Sequence, residues 1–169
     1  WYRSRGLGDV YKRQPYYFDQ SLMHELKELV KDSDLEDKFI FTGYAERVES
    51  YISDFDIFFI PSKYEDPFPR VVIEAMSLGK PVLGYNIGGI GEAIDNKING
   101  FSFNLEDKGV VDYLLELIED EELRLKMSYE ARKKAVNNYD SRIIATKIID
   151  NLKLLFSWCP IRNFYANSC

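Results

Sequence analysis

The sequence predicts an α/β domain in which a parallel sheet is flanked by helices. Two observations carry that expectation. Short apolar runs of strand length alternate with longer stretches whose apolar residues recur at helical spacing, and glycine and proline punctuate the joins. Between Ile57 and Leu83 the order is strand, loop, helix, strand, which within one sheet is a parallel crossover.

The elements follow in chain order. Leu22, Met23, Leu26, Leu29 and Val30 share one helical stripe, and residues 37–42 follow as a short strand. Residues 46–53 read as a brief helix with Val48, Tyr51 and Ile52 inward. The apolar run Ile57, Phe58, Phe59, Ile60 stops at Pro61 and Ser62, the length and punctuation of a fully buried strand. Residues 63–69 hold two acids and two prolines and cannot continue it, because proline has no amide hydrogen to donate. From Arg70 the run V-V-I-E-A-M-S-L-G predicts a short helix, with Pro69 suited to its first position and Gly79 to its left-handed stop. Val82 and Leu83 begin the next strand. Gly88, Gly89 and Gly91 read as a turn before a helix at Glu92; G-G-I-G-E-A does not fit the dinucleotide-binding G-x-G-x-x-G. After a strand at 101–103 come three helices. They are marked by Val110, Val111, Leu114, Leu115 and Ile118, then by Leu123, Leu125, Met127 and Ala131, and last by Ile144, Ile148, Leu152 and Leu155.

Composition narrows the function classes. A chain of 169 residues suits one core. Its net charge of −6 leaves no electrostatic footprint for nucleic acid or anionic lipid. No apolar run approaches the roughly 20 residues that span a bilayer, so no transmembrane segment is expected. Cys159 and Cys169 both lie in the tail, which argues against a disulfide framework and fits a cytoplasmic location. No cluster of His, Cys or Asp has metal-ligand spacing, so no metal is expected. His24, the single histidine, sits on an amphipathic stretch and reads as a boundary residue rather than a base. Residues 1–14 start without methionine, lack a clean period and are similar to translated adapter sequence, so they are set aside as a non-native leader. Residues 15–157 then form the domain and 158–169 an irregular tail.

The chemistry concentrates in residues 61–92. Open parallel sheets bind ligands outside the carboxyl ends of their strands, where the loop 63–69 falls. A helix amino terminus offers unpaired N–H groups and roughly half a positive charge, so the amides of Arg70 and Val71 suit a diphosphate, with the Arg70 side chain as an added cation. Ionised carboxylates accept hydrogen bonds from sugar or ribose diols, and Asp66 and Glu74 are separated by seven intervening residues around the helix start. The blander alternatives are a solvated acidic loop at Glu65 and Asp66 and an ordinary helix glutamate at Glu74.

These residues resemble the donor-site signature of the retaining nucleotide-sugar glycosyltransferases of family 4, which have the GT-B fold. The likeness runs through Asp66, Glu74, Ala75, Met76, Gly79, Pro81, Val82, Gly88, Gly89, Glu92, Asn99 and Gly100, with F-I-F-T-G-Y upstream, and the ordered blocks cover roughly residues 35–156. The resemblance implies a Rossmann-like C-terminal half of a GT-B fold lacking its first strand and helix. It gives Asp66 the donor sugar, Glu74 the ribose and the amides of Arg70 and Val71 the phosphates, with Glu65, Phe68, Pro69 and Gly43 completing the binding set. No cofactor is implied beyond the nucleoside-diphosphate-sugar, which is the donor substrate. Two departures stand out. Asp66 occupies a place more often held by glutamate and follows Glu65, and Pro69 replaces a common glycine, removing one backbone donor.

The family's amino-terminal acceptor-binding domain and its G-R-x…K-G segment are not found in the sequence. The resemblance therefore implies the donor-binding half of a glycosyltransferase, a fragment very weak or inactive alone. The alternative is a non-catalytic nucleotide-sugar-binding module or a degenerate subunit. A flavodoxin-like signalling domain would need a phosphorylatable aspartate at a strand end, and Asp56 precedes its strand.

Overall fold

The computed structural model describes residues 20–42, 45–63 and 65–158. Gly43, the leader 1–14 and the tail beyond Trp158 lie outside them. In chain order the elements are α1 (Gln20–Asp32), α2 (Val48–Ile52), β1 (Phe58–Ile60), α3 (Arg70–Ser77), β2 (Val82–Tyr85), α4 (Gly88–Ala93), β3 (Gly100–Phe103), α5 (Val110–Glu119), α6 (Glu121–Tyr139) and α7 (Ser141–Trp158). The three strands form one parallel sheet in the order β1-β2-β3. Phe58 stands opposite Val82, which in turn stands opposite Gly100. The parallel α/β architecture is the one expected from the crossover.

Alternation along the strands splits the core between the two sheet faces. On one face Phe58, Ile60 and Val82 pack with Val48, Ile52, Val72, Ala75, Met76, Ile90 and Ala93 from α2, α3 and α4. On the other, Leu83, Phe101 and Phe103 meet Leu117 of α5 and Met127 of α6. Helix α6 serves both, because Ala131 and Ala135 belong to the first cluster. It also terminates three other helices. Arg124 donates to Leu117 O at 2.7 Å at the end of α5, Ser128 Oγ and Arg132 donate to Gly79 O and Ser77 O at the end of α3, and Lys134 donates to Glu92 O at 3.1 Å in α4. Last-turn carbonyls lack helical partners, so these donors satisfy groups that would otherwise depend on water.

Several expectations are corrected. Residues 37–42 form no strand among the described residues, although Phe39 and Phe41 still share a face with ring centroids 6.5 Å apart. A strand needs a neighbour to take its N–H and C=O groups, and this segment has no ladder with the open edge of β1. Edge position also explains why β1 is not fully buried: Phe58 and Ile60 are covered, Ile57 and Phe59 only partly. Tyr51 points outward while its neighbours Val48 and Ile52 are buried. Leu26, Leu29, Val111, Leu125 and the α7 stripe of Ile144, Ile148, Leu152 and Leu155 are exposed, whereas Leu117, absent from the expected α5 stripe, is fully buried. Gly88 to Gly91 are not a turn before a helix but the body of α4 itself. Helix α7 also carries Trp158, the first residue of the expected irregular tail.

Candidate functional site

The loop leaving β1 carries the acids, and its path is set by glycines from another element. Gly89 N–H donates to Asp66 O at 2.8 Å. A Cβ on Gly88 would lie 2.6 Å from Asp66 O, and one on Gly89 would lie 2.5 Å from Pro67 O. Gly88 also has φ +50, a left-handed conformation that glycine adopts at little cost. The start of α4 is thus a side-chain-free shelf on which the acidic loop rests, a role that the turn expected at these glycines does not include.

The loop then closes a small turn on itself. Asp66 Oδ1 accepts the Phe68 N–H at 2.9 Å, an Asx-type turn in which one carboxylate oxygen is engaged and the other faces solvent. Glu65 and Asp66 are both exposed. Pro69 is buried and has φ −72 and ψ 99, which makes it the residue capping α3 rather than the first helical residue expected. The physical reason is its extended ψ: the helix begins only when ψ turns negative, at Arg70.

Among the described residues the amides of Arg70 and Val71 have no acceptor, while that of Val72 donates to Pro69 O at 3.0 Å. Arg70 is exposed and Glu74 stands one turn further on, on the same helical face. Glu74 is half-buried beside the core residues Ala75 and Met76, and its carboxylate has no hydrogen bond or ion pair among the described residues. A carboxylate held at a core boundary with vacant lone pairs is disposed to accept from an incoming hydroxyl. One loop and the first turns of one helix therefore gather Glu65, Asp66, Phe68, Pro69, Arg70, Val71 and Glu74. Gly43 lies outside the described residues.

The supporting role of Asn99 and the place of Tyr139 were not legible in the sequence. Asn99 is almost wholly buried, accepting Asp95 N–H at 2.9 Å and donating to Ala93 O at 3.2 Å, which ties the turn after α4 to β3. Tyr139, at the end of α6, meets the Phe68 ring edge-on with centroids 5.6 Å apart. Burial pushes its phenol above the ordinary value, and the carboxylates of Asp95 and Glu92 push the same way. Lys80 donates to Ser53 O at 2.9 Å at the end of α2. Among the described residues no group of three His, Cys, Asp or Glu is placed to hold a metal ion, and no helix is long and apolar enough to cross a membrane.

Residues 19–134 match the family model of the glycosyl transferases group 1. The chain belongs to that family. It is 32% identical over 121 residues to N-acetyl-alpha-D-glucosaminyl L-malate synthase of Bacillus anthracis, a match covering 71% of this chain and 32% of the relative. It is 29% identical over 140 residues to the UDP-Gal:alpha-D-GlcNAc-diphosphoundecaprenol alpha-1,3-galactosyltransferase of Escherichia coli, covering 82% and 35% respectively. This group 1 chain spans about a third of the length of the curated relatives it matches. Among solved structures, Anabaena HepE in complex with UDP-glucose superposes with a TM-score of 0.73 at 25% identity, covering 82% of this chain and 38% of that one. The C-terminal domain of LpcC from Francisella tularensis gives 0.67 at 25% identity, covering 73% and 65%. These matches bear out the expected Rossmann-like, C-terminal GT-B fold.

Proposed function

We propose that this chain supplies the donor-binding half of a retaining glycosyltransferase that moves a sugar from a nucleoside diphosphate to an acceptor. The observation that carries it is the half-buried Glu74 carboxylate, one turn inside a helix whose first amides are those of Arg70 and Val71, all three without a partner among the described residues. A diphosphate meets the α3 amino terminus and Arg70, the ribose diol meets Glu74, and the sugar meets the acidic loop. The UDP-glucose held by the HepE structure is the kind of ligand this arrangement suits.

Transfer builds positive charge at the anomeric carbon and negative charge on the leaving diphosphate. The residues here would stabilise both, the helix amides and Arg70 the leaving group and the loop carboxylates the sugar. The proposal includes no metal, since those cationic and N–H groups meet the phosphate charge, and it includes a cytoplasmic site of action. The acceptor site and further phosphate-binding cations are assigned to the remainder of a longer protein.

An amide-resolved NMR titration of the chain with UDP-, GDP- and ADP-glucose tests this directly, and is sensitive to millimolar binding. Saturable shifts should centre on residues 65–74 and on Gly88 and Gly89. Glu74→Ala should weaken binding by about 1.5 to 3 kcal/mol, the range for a hydrogen bond to a charged group. Shifts scattered elsewhere, or an affinity indifferent to Glu74, would exclude the assignment. Glu65→Ala and Asp66→Ala, compared separately, identify the acid that reads the sugar as the one whose loss weakens the sugar nucleotide but not the bare nucleoside diphosphate.

A further inference from the structure

A half-exposed phenylalanine at the lip of a polar site calls for a physical reason. Phe68 leaves 49% of its surface open, yet its ring is held edge-to-face by Tyr139, the one ring in contact with it among the described residues. We propose that Tyr139 is a positioning residue for the donor: by holding Phe68 it sets where the carboxylates of Glu65 and Asp66 stand against a bound sugar. The proposal rests on the donor-site assignment above.

The coupling is short and continuous. The Phe68 amide is bonded to Asp66 Oδ1, so a shift of Phe68 drags the Asp66 carboxylate with it. The glycine shelf fixes the carbonyls of Asp66 and Pro67 but leaves the Phe68 side chain free to swing. Tyr139 restrains that remaining freedom, and it is itself anchored. Ala131 and Ala135 of the same helix are buried, and Lys134 binds Glu92 O at 3.1 Å and pairs with Asp95 at 2.9 Å. Just beyond it, Asp140 Oδ1 accepts the Arg142 N–H at 2.8 Å, fixing the junction into α7. Among the described residues the phenol makes no hydrogen bond, so the ring rather than the hydroxyl is what the loop feels. Edge-to-face pairs favour one geometry, which makes the contact a positional restraint and not only buried area.

The test compares affinities of the 169-residue chain for UDP-, GDP- and ADP-glucose with those for UDP, GDP and ADP. Tyr139→Leu should weaken the sugar nucleotide that binds by about two- to tenfold while leaving its bare diphosphate unchanged. Tyr139→Phe should behave as the parent. Equal weakening of both ligands, no weakening of either, or a Phe variant as impaired as the Leu variant overturns the proposal. If Tyr139→Leu does not fold, Tyr139→Met, which keeps apolar bulk but removes the aromatic ring, must produce the same split; its absence overturns the proposal equally. If the parent chain binds none of the six compounds, the donor assignment falls and this inference falls with it, an outcome distinct from a parent that binds and a variant that binds as well.

Discussion

Gly89→Ala probes the shelf under the acidic loop. The added Cβ would sit 2.5 Å from Pro67 O, 2.9 Å from Pro67 C and 2.9 Å from Pro69 Cδ. Those are backbone and ring atoms that cannot swing aside, so the loop must retreat by about 1 Å before ordinary contact returns. Overpacking of this kind costs about 1 to 3 kcal/mol, and straining the Gly89 N–H bond to Asp66 O puts about 1 kcal/mol more at stake. A loss of about 2 to 3 kcal/mol is expected in urea unfolding, equivalent to a fall in Tm of about 4 to 12 °C for a chain of this size. Loop amides at Asp66 and Phe68 should shift, and sugar-nucleotide affinity should fall with them. Gly84→Ala is the contrast: its Cβ would meet the Cγ2 methyls of Ile90 at 2.8 Å and Ile60 at 2.9 Å, inside the core. That variant should lose stability with the loop resonances in place. A Gly89→Ala chain as stable as the parent, with unmoved loop amides, would refute the shelf.

Two further outcomes are expected. Asp120 caps α6 by accepting Leu123 N–H at 2.8 Å, and Asp120→Ala should cost about 1 kcal/mol in chemical denaturation, since α6 holds the ends of three other helices. The Arg142 guanidinium and backbone amide lower the Asp140 carboxyl from its ordinary 3.8 to about 2. A depressed folded-state pKa contributes stability that is full above the unfolded value and lost as pH falls through about 2. Asp140→Asn should therefore differ most from the parent at pH above 4, and their thermal midpoints should converge as the pH drops from 4 to 2.

Legibility differed by the range of the interaction. The β1, α3, β2 crossover was readable because each part is local: an apolar run, proline breakers, a helical stripe and Gly79, which has the left-handed φ of +69 expected of it. The acids were readable for the same reason, all lying within ten residues. The strand expected at 37–42 failed because alternation reports a two-faced segment but not the presence of a neighbour to pair with. The α1 and α7 stripes were correct as helices, yet Leu22, Leu26 and Leu29 of α1 and the α7 stripe lie exposed, since periodicity names the apolar face and not what covers it.

The sequence alone determined the parallel α/β class, the order of elements around the loop, and which carboxylates and amides stand at the helix start, because these depend on backbone propensity and near-neighbour spacing. Only the tertiary structure decided what holds that loop in place. The carbonyls of Asp66 and Pro67 rest on glycines about twenty residues further along, and the Phe68 ring rests on a tyrosine at the far end of α6. Close backbone approach and ring contact are properties of surfaces brought together by folding. No spacing along the chain records them.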